Sequence, residues 1–454
     1  MVRVLYDEDN LYVGILCRDG DPRAVVSTQL ARDGELDVDD HVSVVLDPFF
    51  DQRNGFFFQV NPAGARTDGQ ISNNQERLTF NWDGIWNAGA RRTDDGWVAE
   101  IAIPFKTLRF KPGQTTWGFN VERSIKRKQE EDRWASARKD VWISNLSKAG
   151  LLTGLENLRQ GRGWELRPYV SGGEELSDGK FKAGLDVTKN LAPNLTGVLT
   201  VNTDFAETEV DARQINLTRF PLFFPEKRQF FLEGAGTYDV AGLGTRNPDF
   251  IPFFSRRIGL VGTEESQEVP ILAGAKLAGR LGNYNIGFLD VETQKVDEIE
   301  VDGETRSLER QNLLAARLSR NVFRQSSVGF FATRGNPDGT GDNSMVGADM
   351  RLATSTFRGD KNLSLALWVA RSDDGAHGRS DGAFGAQLDF PNDLWDVSVN
   401  FKHFGDAFVP AMGFLPRAAI NKLNTGIAFQ PRPGRWGIRQ FFFELSSSRA
   451  MYSA

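Results

Sequence analysis

The sequence predicts an all-β protein: an N-terminal β-sandwich followed by an incomplete antiparallel transmembrane β-barrel with an internal plug-like segment. Three observations predict it. From about Phe181 to the end of the chain, apolar and polar residues alternate through one hairpin after another. No helical stretch interrupts those hairpins. No window approaches the ~20 consecutive apolar residues of a spanning helix, and the mean hydropathy is only -0.38.

The alternation is clearest near the C-terminus. Phe384, Ala386, Leu388 and Phe390 share one parity, while Gly385, Gln387 and Asp389 share the other. The returning strand sets Trp395, Val397, Val399 and Phe401 against Asp396, Ser398, Asn400 and Lys402. Side chains on a strand alternate faces, so the pattern builds a sheet with one apolar and one polar surface. Repeated over many strands, that is the signature of a barrel with lipid outside and a polar lumen. A soluble propeller would repeat a motif at a fixed period, and no such period is present.

Along the chain, residues 1–155 read as a separate sandwich. Strands are expected at Leu11–Cys17, His41–Asp47, Gly55–Val60, Trp97–Ile103 and Trp117–Val121, separated by Asp-, Asn-, Gly- and Pro-rich turns. Cys17, the only cysteine, cannot form an internal disulfide and reads as a small buried hydrophobe. The segment 124–139 mixes charges of both signs and reads as a solvated face. Residues 150–165 read as a linker.

Residues 156–454 form the barrel domain. Its strands are expected near 166–171, 181–188, 195–202, 271–277, 286–291, 313–319, 328–333, 346–352, 363–370, 384–390, 395–401, 423–429 and 441–445. That is about thirteen, against the even number usual in single-chain bacterial barrels. Lumen-side charges fall at Lys276, Arg280, Arg317, Asp349, Arg351, Asp389 and Lys402. The irregular stretch 203–268 is too aromatic to be disordered and reads as a plug folded into the lumen. Glu226, Lys227, Arg228, Arg256 and Arg257, together with Glu233, would pair there with wall charges. The opening residues enter a strand pattern with no signal peptide, so the sequence is read as a truncated frame.

Specific motifs add a resemblance. The runs NTDFAETEVD (202–211), NLTRF (216–220), FFPEKRQFFLEG (223–234) and FFSRRIG (253–259) are the most distinctive in the chain. With LYDEDNLYVG (5–14), VNPAG (60–64), WDGIW (82–86) and GWVAEIAIPF (96–105), they resemble a family of bacterial outer-membrane proteins. In that family a β-barrel domain of unknown function (the 5916 type) follows a module similar to carbohydrate-binding module family 9. The resemblance implies an outer-membrane location, an oligo- or polysaccharide partner, contact with outer-membrane lipid and a place in carbohydrate catabolism.

Sugar recognition needs open aromatic faces beside polar side chains that reach hydroxyls. Trp82 and Trp86 sit in a Gly/Asp-rich turn, and Trp134 lies in a charged, weakly patterned stretch. These three are the candidate sugar contacts, whereas Trp97 and Trp117 open apolar strands and read as core. Asp33, Asp39 and Asp40 offer closely spaced oxygen ligands for Ca²⁺. They lack the EF-hand pattern, and a solvated turn fits them better. No other cofactor is indicated, and a net charge of -6 argues against a nucleic-acid partner.

Catalytic constellations are sparse. His41, His377 and His403 are isolated, and there is no nucleophile elbow, zinc spacing or P-loop. Glycoside hydrolysis needs two carboxylates roughly 5–10 Å apart, for which Glu226 and Glu233 are the weak candidates. The sequence therefore favours non-enzymatic glycan binding. The alternatives are a membrane-anchored hydrolase acting on O-glycosyl bonds, and a structural or secretion-associated barrel without sugar affinity.

Overall fold

The structure is a computed structural model that describes residues 1–72, 74, 77–80, 82–138, 141–159, 163–175, 178–202, 221–224, 226–243, 248–262, 267–301, 304–435 and 437–452. It is all-β apart from one four-residue α-helix and a few 3₁₀ turns. The chain divides into two compact units, Met1–Gly163 and Trp164–Ala454.

The first unit contains β1 (Val2–Tyr6), β2 (Asn10–Arg18), β3 (His41–Asp47), β4 (Gly55–Val60), β5 (Arg66–Ser72), β6 (Arg77–Thr79), β7 (Asn87–Thr93), β8 (Gly96–Pro104), β9 (Thr116–Ile125), β10 (Glu130–Arg133) and β11 (Gly150–Thr153). One antiparallel sheet runs β1-β2-β8-β7, and the other runs β10-β9-β3-β4-β5-β6 with β11 also on β9. Alternate residues of both sheets meet in one core. Leu11, Val13, Ile15 and Cys17 on β2, with Trp97, Ala99, Ile101 and Ile103 on β8, pack in the same cluster as Val42, Val44, Leu46, Phe58, Trp117 and Phe119. Burying each large side chain contributes about 1.5–3 kcal/mol, so this shared core makes the two sheets a sandwich.

Strand β3 is buried on both faces. Its outward Val45 packs with Phe57, Ile71, Ile143 and Leu146. The charged segment expected to be a solvated face is mostly exposed, Arg127, Lys128, Glu130, Glu131 and Asp132 among it; it also supplies β10, where Arg133 is nearly buried in a pair with Glu122. The expected linker begins with β11, paired to β9.

The second unit contains β12 (Trp164–Glu175), β13 (Asp178–Ala192), β14 (Leu195–Val201), α1 (Gln229–Leu232), β15 (Leu260–Val261), β16 (Gln267–Glu268), β17 (Ile271–Leu281), β18 (Tyr284–Thr293), β19 (Val296–Val301), β20 (Glu304–Leu308), β21 (Asn312–Val322), β22 (Ser326–Arg334), β23 (Asn343–Phe357), β24 (Lys361–Asp374), β25 (Arg379–Pro391), β26 (Trp395–Phe404), β27 (Ile420–Phe429) and β28 (Phe443–Tyr452). Thirteen of these strands form one antiparallel sheet in chain order, β12-β13-β14-β17-β18-β21 through β28. Its two edges are β12 and β28, and no pairing joins them among the described residues.

Of the expected plug, residues 203–220, 225, 244–247 and 263–266 lie outside the described residues, and parts of the rest pack on one face of the sheet. Phe230 and Phe231 of α1 cluster with Leu289, Val291, Leu313 and Ala315. Phe250 clusters with Trp368, Phe404 and Phe408. Lys276 on β17 donates to the carbonyls of Phe230 and Glu233, while Lys422 on β27 pairs with Asp249 at 2.6 Å. Strands β17 and β27 are eight strand spacings apart, roughly 40 Å if the sheet were flat. The segment thus joins strands far apart in the sheet order, and Met412 from the β26–β27 connection packs in the same cluster as Leu289 and Leu313.

That inner face also buries charge. Arg317 on β21 crosses β22 to meet Asp349 on β23, with a 2.9 Å hydrogen bond from Nη2. A Cβ on Gly329, the β22 residue between them, would collide with the guanidinium. Asp349 in turn accepts the Ala241 backbone N–H at 3.1 Å. The opposite parity is apolar and open, with Val346, Leu367, Val369, Phe384 and Leu388 all exposed.

Two predictions test this packing. Asp349→Ala leaves the Arg317 charge buried without its partner, and should cost about 3–5 kcal/mol. The double change Arg317→Met with Asp349→Leu should recover most of that loss in urea unfolding, and an Asp349→Ala chain as stable as wild type would refute the role of the pair. In the sandwich, burial holds the His41 imidazole below its ordinary value. Its Nδ1 lies 3.0 Å from the Asp39 carbonyl, as a neutral donor would. A lowered histidine favours the folded state above about pH 6.5, and that contribution is lost as the pH falls. Buried Asp47, pushed up to about 7 by burial and by Asp51, acts in the opposite sense over the same window. The informative quantity is therefore a difference: between pH 7.5 and 5.5 wild type should lose more stability than His41→Gln, measured as denaturation midpoints, and equal slopes would rule the effect out.

Candidate functional site

The first unit holds a cleft of about 440 Å³ where the β1–β2 edge of one sheet faces the β9–β10 edge of the other. Its walls are Val2, Ile15, Leu16 and Cys17 on one side, and Val121, Arg123, Asp132, Arg133 and Trp134 on the other. The row Trp117, Phe119, Val121, Arg123, Ile125 explains the polar floor: Arg123 interrupts an otherwise apolar row of β9. Burial pushes the Cys17 thiol up to about 11, which keeps it protonated and unreactive at neutral pH.

Trp134 is the aromatic wall of the cleft and is 60% exposed. Its backbone N–H donates to the Val121 carbonyl at 3.0 Å, and its ring meets Phe119 edge-on at 5.8 Å. Beneath it lies Gly150, where any Cβ would run into the indole. The ring is therefore fixed from below and open above. Arg123 donates to the Arg18 carbonyl at 2.7 Å and to Asp19 at 3.2 Å, while its Nε has no hydrogen-bond partner. Asp19, held to about 2 by the Arg127 guanidinium against a smaller opposing effect of burial, stays ionised and anchors this arginine. The cleft thus combines a flat apolar face with a cation and the carboxylate of Asp132.

The other two tryptophan candidates lie elsewhere. Trp86 is 2% exposed, edge-on to Phe58 at 5.0 Å, and so presents no open face. Trp82 is half-buried against Phe56, with ring centroids 4.9 Å apart. Both pack on β4, two strands away from β9. The turn that carries them folds back onto the core instead of standing clear of it. Trp142, in the loop beyond β10, is 66% exposed.

The acidic candidates for Ca²⁺ do not converge. Asp39 is buried and saturated: one oxygen accepts Thr28 N and Oγ1, each at 2.7 Å, and the other accepts Gln29 N and Asn61 Nδ2, each at 2.8 Å. Those donors favour its ionised form despite burial, and the net shift is downward. Asp40 accepts Lys126 N at 2.8 Å. Asp33 sits in a left-handed turn beside Arg32 at 3.2 Å. Among the described residues no group of three or more His, Cys, Asp or Glu is arranged to hold a metal ion. The cluster ties the 28–40 loop to the sheet.

In the second unit, Glu226 is committed to Arg228. The carboxylate accepts Arg228 Nε at 2.9 Å and Nη2 at 2.8 Å, and Ser255 Oγ at 2.8 Å. Burial alone would raise its pKa, but Arg228 and these donors outweigh it and hold it below the usual range. A general acid needs the reverse. Arg228, 1% exposed, also donates to the carbonyls of Ile258 and Ser255 and lies over Phe231 at 4.2 Å. Glu233 is half-buried just past α1, and Lys276 takes its backbone carbonyl. Lys227 donates its backbone N–H to Glu226, and Arg256 lies over Phe224 at 5.7 Å. Arg257 pairs with Asp338 at 2.6 Å, in the connection after β22. Asp249, which bridges Lys402 and Lys422, was missed by sequence reasoning because it lies outside every recognisable motif.

Comparison with known proteins bears on this second unit. No curated protein and no solved structure matches the chain. Residues 164–323 match the family described as Domain of unknown function (DUF5916), a span that runs from the first strand of the large sheet through the plug segment to the end of β21. The stretch that contains Arg228, Lys276 and Arg317 is therefore a DUF5916 domain.

Proposed function

We propose that the chain is a non-enzymatic, carbohydrate-binding protein of the bacterial outer membrane, in which the sandwich takes the glycan and the large sheet, wound on its plug, sits in the bilayer. The membrane half rests on one observation: the large sheet turns its charged face inward and its apolar face outward. Lys276, Arg317, Asp349 and Lys402 are buried, while Phe330, Val369, Phe384 and Leu445 are exposed. In water that polarity is inverted, and lipid is the solvent that matches it. The strands from β17 through β28 that belong to this sheet are nine to fifteen residues long. Such lengths suffice for tilted strands to cross a hydrocarbon core.

The glycan half is carried by Trp134. A pyranose offers an apolar C–H face and a rim of hydroxyls, and the cleft answers both, with the indole for the face and Arg123 and Asp132 for the rim. A cavity of 440 Å³ falls in the range of small-ligand sites. Glu226, ionised and tied to Arg228, supports binding over hydrolysis.

Two measurements test these halves separately. Full-length chain carrying an export signal should be recovered with the outer membrane. Phe384→Arg places a charge mid-strand on the outward face and should reduce that recovery, at a cost of about 2–4 kcal/mol near the midplane; recovery of both chains in the soluble fraction would sink the membrane reading. Screening the full chain against neutral and acidic oligosaccharides by tryptophan fluorescence and calorimetry should give at least one binder. Trp134→Ala should weaken that binder at least tenfold, and Trp142→Ala should leave it unchanged. Affinity indifferent to Trp134→Ala would move the site elsewhere, and no binder at all would favour a structural or secretion-associated role.

A further inference from the structure

The two ends of the large sheet are not equivalent. At one end, five of the six hairpin connections are two or three residues long, at 193–194, 282–283, 323–325, 358–360 and 392–394, and the sixth, 430–442, is longer. At the other end 202–270, 294–311, 335–342, 375–378 and 405–419 are all longer than those five, while β12 and β13 close tightly with Glu175 paired to Asp178. Bacterial barrels keep short turns on the periplasmic side and long loops on the outside.

The side chains divide the same way. Among outward-facing or turn residues, the short-turn end carries Trp164, Tyr284, Phe323, Phe390, Trp395 and Phe443. Phe323 is 87% exposed, and Trp395 lies against Phe429 with ring centroids 4.4 Å apart. The matching positions at the long-loop end are Glu292, Arg334, Ser344, Asp373, Ser380 and Asn421. Aromatic rings in a soluble protein would be drawn into a core; six of them spread along the rim of an outward face match the interfacial layer of a bilayer, where an apolar ring meets headgroup dipoles.

We propose, building on the outer-membrane reading above, that this aromatic row is a girdle seated in the headgroup layer of the periplasmic leaflet, with the short turns in the periplasm and the long connections outside. Chain connectivity then fixes a compartment. Strand β12 begins with Trp164 at the short-turn end, so the polypeptide enters the sheet from the periplasm. Residues 1–163 belong on that side, and the glycan offered to Trp134 is one that resides in, or has reached, the periplasm.

The test is site-directed labelling of the exported full chain with a membrane-impermeant maleimide, before and after outer-membrane permeabilisation. Native Cys17 is buried and serves as background. Ala376→Cys, in an exposed long-end connection, should label in intact cells. Asn283→Cys, in an exposed short turn, should label only after permeabilisation, with at least a fivefold rise. As a second readout, Trp395→Phe should reduce fluorescence quenching by lipids brominated near the headgroup in reconstituted vesicles. Reversed labelling, or equal labelling of both positions in intact cells, with the chain in the outer-membrane fraction, overturns the orientation alone. Loss of both variants and of wild type from that fraction overturns the membrane reading beneath it.

Discussion

A charge taken out of water has to be met by another charge or by oriented dipoles, and the second unit is organised around that requirement. Arg317 and Asp349 face each other across β22, and Asp349 also holds the backbone of Ala241. Lys402 and Lys422 share Asp249, while Lys276 holds the end of α1. Desolvating each of these groups singly would cost several kcal/mol. The inner face is therefore stable only with the segment in place, and the segment is ordered only because the face supplies its counter-charges. Gly329 belongs to the same constraint, since a side chain there would occupy the space through which Arg317 reaches its partner.

The first unit uses the same two-residue period with the opposite solvent logic. There the apolar parity of both sheets points inward, and the polar parity of β3 is covered in turn by Ile143 and Leu146. This difference decided what could be read from the sequence. Strands His41–Asp47 and Gly55–Val60 fell where their apolar residues placed them, and thirteen alternating strands announced the large sheet. Strand β7, Asn87–Thr93, gave no signal because Ala88 and Ala90 are all it contributes to the core. Strand β10 is solvated, as its charges suggest, except at Arg133, which only the fold brings beside Glu122.

The candidate site was less legible, for a related reason. Residue type states what a side chain can do, whereas neighbours decide whether it is free to do it. Asp39 has the chemistry of a calcium ligand, but Thr28, Gln29 and Asn61 already use both its oxygens. Glu226 has the chemistry of an acid catalyst, but Arg228 and Ser255 hold it ionised. Trp86 sits in a turn of the kind that usually stands out from a sheet, yet it is sealed against Phe58.

Trp134 shows the converse. Its charged, weakly patterned local sequence makes it a candidate for ligand contact, but not the wall of a particular cleft. Two features go with its openness: Gly150 beneath the ring lets the indole lie low on the sheet, and Arg123 interrupts the apolar row of β9 beside the cleft. A larger residue at 150 would lift the ring away from Phe119, and an apolar residue at 123 would extend the core into the cleft. The capacity to take a ligand there depends on where packing stops, and that is set by the pairing of β9 with β10 and β11 as much as by the tryptophan itself.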